Sequence, residues 1–352
     1  MVPRPLWSGD PADLPAALPK AELHLHLDGS LRPATLLELS REAGVTLPTS
    51  DPEALAGWMI PESGGTLEDY LERFERTLAV LQSREALTRV SRELVIDAAA
   101  ENVRYLEIRF CPALNTRDGL SLEEVLEASW QGILDGEKAT EVPARLIVCG
   151  LRNFDPRISV ELAELAVACR HLGVVGFDLA GGEAGHPTAE HAEAFTVAAR
   201  GGLARTVHAG EAWGPESIRQ ALVEGRAQRI GHGTRLREDE ELMEILRDHR
   251  IPIEVCLTSN LQTGAATSYA EHPLRAFFDS GIPVSLNTDN RLMSGTTLTR
   301  EYHHARVHQG FSPFELARLA RMGFEAAFLS WPEKAALLAA VDLELEELLG
   351  VA

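Results

Sequence analysis

Glu22-Leu23-His24-Leu25-His26-Leu27-Asp28 alternates polar and apolar residues at every step. In an extended strand alternate side chains share a face, so two imidazoles and a carboxylate stand side by side with Leu23, Leu25 and Leu27 opposite. A leucine face of this kind belongs under covering helices, which leaves the polar face directed into a cavity. That is half of a metal site. With twelve histidines in the chain, chance supplies about 0.4 His-x-His pairs, so the remaining ligands must come from elsewhere.

Outward from this strand, short runs rich in Val, Ile and Leu alternate with longer helical segments. Eight such runs lie near residues 22–28, 103–111, 145–151, 174–180, 204–210, 229–233, 251–257 and 282–289. Amphipathic stretches such as Ser217 to Leu222 and Glu238 to Arg250 separate them. This rhythm predicts a parallel sheet. Eight repeats, and no G-x-G-x-x-G turn after the first strand, favour an α/β fold of the closed (β/α)8 TIM barrel type over an open doubly wound sheet. The 352 residues are expected to form a single barrel domain over 1–352, with a helical insertion over about 30–100 and C-terminal closing helices over Ala335 to Leu349. The insertion holds a loop, Pro61-Glu62-Ser63-Gly64-Gly65, then a helical stretch from Leu67 to Leu81 with Leu67, Tyr70, Leu71 and Phe74 at helical spacing. Those positions serve either a lid over the barrel mouth or the packing of extra helices.

Asp and Glu total 53 against 33 Lys and Arg, a net charge of −20, and no local basic patch offsets it. Such a surface repels phosphate backbones and anionic lipid, so the expected partner is a small molecule, with no nucleic acid and no membrane. No apolar stretch follows Met1-Val2-Pro3-Arg4-Pro5 and no run approaches a membrane span, so neither a signal peptide nor an anchor is expected. Cys111, Cys149, Cys169 and Cys256 show no C-x-x-C spacing and read as buried, reduced thiols, consistent with a cytoplasmic protein.

Polar residues gather where the predicted strands end, the position at which barrel enzymes carry their chemistry. The first strand offers His24, His26 and Asp28, the fifth ends in His208-Ala209-Gly210-Glu211, the sixth in Gly231-His232-Gly233, and the eighth in Asn287-Thr288-Asp289-Asn290. His24, His26, His208 and Asp289 suit a zinc ion that keeps one position open for water. A divalent ion lowers the pKa of bound water from about 16 to about 7, which points to hydrolytic attack on carbon or phosphorus. Glu211, three residues past His208, is placed to move a proton, or else is a solvated carboxylate at a helix start. His232, between two glycines, has room to face the cavity and orient the attacking oxygen or take its proton, or else is a core histidine.

These segments resemble the adenosine deaminase family of metal-dependent barrel hydrolases. The likeness covers Lys20-Ala21-Glu22-Leu23-His24-Leu25-His26-Leu27-Asp28-Gly29-Ser30, Gly176-Phe177-Asp178-Leu179-Ala180-Gly181, His208-Ala209-Gly210-Glu211, Gly231-His232-Gly233, Cys256-Leu257-Thr258-Ser259-Asn260-Leu261-Gln262-Thr263-Gly264 and Ser285-Leu286-Asn287-Thr288-Asp289, in the family's order. The resemblance implies one zinc ion per chain on His24, His26, His208 and Asp289, with Glu211 protonating purine N1 as metal-activated water adds to C6. It implies that His232 assists this addition, that Asp289 serves catalysis as well as the metal, and that ammonia leaves to give a 6-oxopurine. It further places Asp28 on a ribose hydroxyl and the backbone of Gly181 on purine N3.

One position departs from the family. Many members carry two consecutive aspartates where this chain has Asp289-Asn290, the second holding purine N7. N7 is an acceptor, and the amide of Asn290 donates at any pH, so adenine recognition survives the change. The expected substrates are the nucleosides adenosine and 2′-deoxyadenosine. Adenine, aminodeoxyfutalosine and N6-substituted AMP are the alternatives, the last needing a cation such as Arg32 or Arg291 near the ribose. A barrel hydrolase with two metals would be expected to carry a bridging lysine or carboxylate, and no lysine sits at a predicted strand end. The oligomeric state is not legible.

Overall fold

The computed structural model describes residues 13–60 and 67–350, the side chains of 67–72 apart. Among them, eight strands pair in sequence order and all in parallel: β1 (Lys20–His26), β2 (Val103–Phe110), β3 (Ala144–Leu151), β4 (Val174–Ala180), β5 (Ala204–Ala209), β6 (Arg229–His232), β7 (Ile253–Val255) and β8 (Val284–Leu286). Helices follow the strands and cover them from outside, as a sheet of fully buried strands requires. The architecture is the expected (β/α)8 barrel. β7 and β8 are shorter than the expected runs because the chain leaves the ladder as it enters the site: the helix Leu257–Gln262 starts immediately after Cys256.

Closure between β8 and β1 uses a substitute for a full ladder. Leu25 and Asp289 form an isolated parallel bridge, in which His26 N–H donates to Asp289 O at 2.8 Å and Asp289 N–H to His24 O at 3.0 Å. One step earlier the side chain of Asn287 acts as a peptide group. Its Oδ1 accepts from Leu23 N–H at 2.8 Å and His24 N–H at 3.2 Å, and its Nδ2 donates to Ser285 Oγ at 3.1 Å. Buried N–H groups need acceptors, and β8 ends too early for its own backbone to supply them.

The barrel interior is charged beneath its mouth. Arg109 of β2 contacts Asp178 of β4 at 3.0 Å and Glu254 of β7 at 2.9 Å, while Arg229 of β6 contacts the same Glu254 at 2.6 Å and Glu107 of β2 at 2.5 Å. Except for Arg229 and Glu254, which sit on the adjacent strands β6 and β7, these pairs join strands that are not neighbours and so cross the interior. Tyr105 Oη and the Phe328 backbone N–H both donate to Glu107, and the Arg229 guanidinium lies 3.4 Å from the centroid of the Phe328 ring.

Between β1 and β2 the expected insertion forms the helices Pro33–Ala43, Pro52–Met59, Leu67–Val80 and Arg84–Ala100. Phe74 packs on the hydrophobic core. The 61–65 loop and the side chains of Leu67, Tyr70 and Leu71 lie outside the described residues. The C-terminal helix runs Trp331–Leu349 and begins before the expected Ala335 because Ser330 and Glu333 build a capping box. The amphipathic stretch expected from Glu238 starts at Glu240, where the Asp239 side chain accepts from Leu242 N–H. All four cysteines are buried and unpaired, and no helix among the described residues is long and apolar enough to cross a membrane.

Replacing Asn287 by Ala leaves two buried N–H groups of β1 without an acceptor. The expected loss is about 2 kcal/mol of stability, read as a lower urea midpoint. An unchanged midpoint in both metal-loaded and metal-stripped protein would contradict the role assigned to this side chain.

Candidate metal and catalytic centre

The mouth of the barrel receives His24 and His26 from β1, His208 from the end of β5, His232 from the end of β6 and Asp289 from the segment that closes the ring. His232 and Asp289 both have φ of 62°, a left-handed backbone that non-glycine residues seldom adopt and that marks ends where the chain turns out of its ladder.

His26 Nε2 lies 3.1 Å from His208 Nε2, and Asp289 Oδ1 lies 3.3 Å from His24 Nε2 and 3.4 Å from His26 Nε2. Atoms on one tetrahedral zinc, with bonds of about 2.0–2.1 Å, stand about 3.3 Å apart, so these separations fit a shared cation. His24 Nε2 is buried with no hydrogen-bond partner, an arrangement that a positive ion explains. A second grouping overlaps the first: ligand atoms of His24, His208, His232 and Asp289 also lie within 4.8 Å of one another. His26 and His232 therefore compete for one nitrogen position.

Behind the imidazoles stand carboxylates. His24 Nδ1 is 2.8 Å from Glu254 Oε2, and His208 Nδ1 is 3.0 Å from Asp178 Oδ2. A proton on each Nδ1 leaves the Nε2 lone pair turned into the cavity, the arrangement that metal-binding histidines use. Burial, with the Arg109 charge adding to it, pushes His24 down to about 4. Burial likewise puts His26 well below the ordinary imidazole range, so both are neutral ligands at neutral pH. Burial opposes ionisation of Asp289, yet the neighbouring imidazoles, His24 first and then His232 and His26, hold its carboxyl well below the usual range. Ser259 Oγ donates to Asp289 Oδ2 at 2.6 Å, which leaves Oδ1 to the histidines.

Glu211 lies beside this cluster. Its Oε1 accepts from Thr263 Oγ1 at 3.0 Å and its Oε2 is 3.5 Å from His232 Nε2. The turn that carries it is gathered by one carboxylate, Glu183, which accepts from the N–H groups of Gly210, Glu211, Ala212 and Trp213 at 2.6–3.0 Å. Arg152 ties the same turn down through His208 O at 2.6 Å.

Three further expected residues lie just past the ends of β1, β4 and the bridge at Asp289. Asp28 is buried, its Oδ1 has no partner, and burial pushes its carboxyl up to about 6. Asn290 is buried with its Oδ1 unpartnered, and it packs so closely on Gly29 that a Cβ there would lie 1.8 Å from that oxygen. Gly181 follows β4 with φ of 88°, open to glycine and strained for other residues. Buried polar atoms without partners mark a place where a polar ligand belongs. The two candidate phosphate cations are already engaged: Arg291 pairs with Glu22 at 2.9 Å and Glu101 at 2.5 Å, and Arg32 pairs with Asp97 at 2.6 Å.

Sequence reasoning did not assign roles to Arg109, Asp178, Glu183, Glu254, Ser259 or Asn260. A faint signal existed for Glu254 and Arg109, since a charged residue inside an apolar strand needs a buried partner.

The family model described as adenosine deaminase matches residues 19–344. An adenosine deaminase of Mycobacterium leprae is 43% identical over 338 residues, covering 91% of this chain and 93% of that protein. A Dictyostelium discoideum protein named as a probable adenosine deaminase is 45% identical over 92% of this chain, which spans 42% of that longer protein. Among solved structures, an adenine deaminase from Arthrobacter aurescens superposes with a TM-score of 0.86 at 30% identity, covering 94% of this chain and 99% of that one. An N6-methyl-AMP deaminase from Arabidopsis thaliana gives 0.83 at 31% identity, with 94% and 98% covered.

Asp178→Asn removes the charge behind His208 while keeping its shape. Zinc affinity should fall about 10–100-fold, measured by competition with a chromogenic chelator. Unaltered affinity would show that Asp178 does not act on the metal through His208.

Proposed function

The chain belongs to the adenosine deaminase family, and from that premise we propose that it hydrolyses adenosine and 2′-deoxyadenosine at C6 to the 6-oxo nucleosides and ammonia. One zinc ion per chain on His24, His26, His208 and Asp289 completes the site, and residues 1–352 form one barrel unit with its insertion over about 30–100. The observation that carries the reading is the convergence of His24, His26, His208 and Asp289 within 3.1–3.4 Å contacts, with Glu211 and His232 alongside. The likeness at 43% identity to a relative named for this activity supports it.

When bound, zinc supplies a water acidic enough to be a nucleophile at neutral pH. Glu211 delivers a proton to purine N1, which lowers the cost of breaking ring aromaticity as C6 is attacked, and Thr263 and His232 hold its carboxyl in place. The oxygen of water goes to C6, one of its protons leaves with the exocyclic NH2 as ammonia, and the other restores the carboxyl of Glu211, whose own proton stays on N1. Asp28 takes a ribose hydroxyl with its unpartnered oxygen, the Gly181 backbone meets N3, and the Asn290 amide, turned to present N–H, meets N7.

Adenine and N6-methyl-AMP are the rival substrates, since solved structures of comparable likeness carry those names. Two observations favour the nucleoside. The partnerless Asp28 oxygen suits a ribose hydroxyl that free adenine lacks, and Arg32 and Arg291 are both committed to carboxylates. Four unpaired, buried thiols support a reducing compartment such as the cytoplasm.

The test follows the ultraviolet change of adenosine with purified protein. Turnover is expected to disappear on chelation, return with zinc, and fall about 10²–10⁴-fold in Glu211→Gln. Conversion of adenine or N6-methyl-AMP by zinc-loaded, folded protein that leaves both nucleosides untouched would overturn the substrate assignment.

A further inference from the structure

His232 is one end of a hydrogen-bond chain whose direction is fixed from its other end. The backbone N–H of Leu274 donates to His272 Nδ1 at 3.1 Å. A backbone N–H only donates, so Nδ1 carries a lone pair. Burial pushes His272 down to about 3, so the ring is neutral and its single proton sits on Nε2. That Nε2–H donates to Asn260 Oδ1 at 3.0 Å, and Thr234 Oγ1 donates to the same oxygen at 3.2 Å. The His272 N–H fixes this oxygen as the acceptor, so Nδ2 of Asn260 faces His232 and donates to its Nδ1 at 3.1 Å. His232 Nδ1 is therefore an acceptor, and the neutral ring carries its proton on Nε2.

We propose that Asn260 and His272 are positioning residues that lock His232 in the Nε2–H tautomer, making it a hydrogen-bond donor to the reacting centre and keeping it out of the metal's ligand set. The part concerning the reaction rests on the function proposed above. The part concerning the tautomer and the ligand set does not.

This lock decides the competition between His26 and His232. A metal takes a nitrogen lone pair, and neither nitrogen of His232 offers one: Nδ1 is occupied by Asn260 and Nε2 is protonated. His26 is left as the third imidazole, in agreement with its short separations from His208 and Asp289. The lock also narrows the chemistry of His232. Its Nε2–H, 3.5 Å from Glu211 Oε2, can hydrogen-bond the attacking oxygen and the glutamate. Taking a proton from that oxygen would require the proton to leave Nε2 first, and moving it to Nδ1 would set it against the amide N–H of Asn260. Rotating the amide instead would turn its N–H toward the N–H of His272.

The direct readout is long-range proton–nitrogen correlation on zinc-loaded protein labelled with ¹⁵N-histidine, His232 being assigned by the signal lost in His232→Gln. The wild-type spectrum should show His232 neutral, bare at Nδ1, protonated at Nε2 and free of the metal-bound signature. His232 protonated at Nδ1, or shifted as a zinc ligand, overturns the proposal whatever the enzyme turns over. Asn260→Asp replaces the donor with an acceptor and should move the proton to Nδ1, lowering kcat about 10–100-fold with KM little altered. A folded Asn260→Asp whose His232 keeps the Nε2 proton also overturns it. His272→Gln, which retains an N–H to offer Asn260, should keep more of kcat than His272→Leu, and equal losses would count against the chain. Because the wild-type spectrum is read without substrate, failure of the tautomer lock and failure of the adenosine assignment are separable.

Discussion

A single guanidinium, that of Arg109, holds two carboxylates at once, and each carboxylate holds a histidine. Asp178 turns His208 and Glu254 turns His24, so the ring orientations at the mouth are set by a cation buried below them. Burying such charges is costly unless every one is paired, and removing one leaves the others exposed to a low dielectric. Counting the linked interior groups, Asp178, Glu254, Glu107 and Asp289 set against Arg109 and Arg229 leave two net negative charges in their ionised forms. A divalent cation at the histidine cluster would neutralise that excess, so the interior charge network and the candidate metal site would form one electrostatic unit.

The same economy of parts appears where the barrel closes. Asp289 bridges Leu25 through its backbone and faces the histidines through its side chain, so the residue that completes the sheet also completes the candidate ligand set. Asn287, two residues earlier, satisfies the backbone of Leu23 and His24. The first and last strands cannot slip relative to one another without breaking both the ring and the site. Residues from positions 24 and 289 meet only because the intervening βα units turn the sheet through a full circle.

Much of this was legible in the chain itself. The alternation from Glu22 to Asp28 is a property of the strand period, and the strand ends at His208, His232 and Asp289 follow from the βα rhythm. What stayed hidden was pairing at long range. Glu254 and Arg109 are separated by 145 residues and Arg109 and Asp178 by 69, and no local pattern reports that barrel closure brings them together. The early end of β7 was also illegible, because Cys256 and Leu257 continue the apolar run past the last strand residue into the site. His232 was ambiguous for a different reason: flanking glycines show room to move, whereas its role depends on Asn260 and His272, whose bonds exist only in the folded chain. Arg32 and Arg291 read equally well as phosphate-binding or surface cations until their carboxylate neighbours were in place.

The central claim is that one cation, seated by ligands from both ends of the chain, makes this barrel a deaminase of adenosine. Titrating metal-stripped protein with zinc while recording the initial rate of adenosine deamination tests it most directly. The rate is expected to climb in proportion to added zinc and to break at one equivalent per chain. Full zinc occupancy without adenosine turnover, or undiminished turnover in the stripped protein, would contradict it.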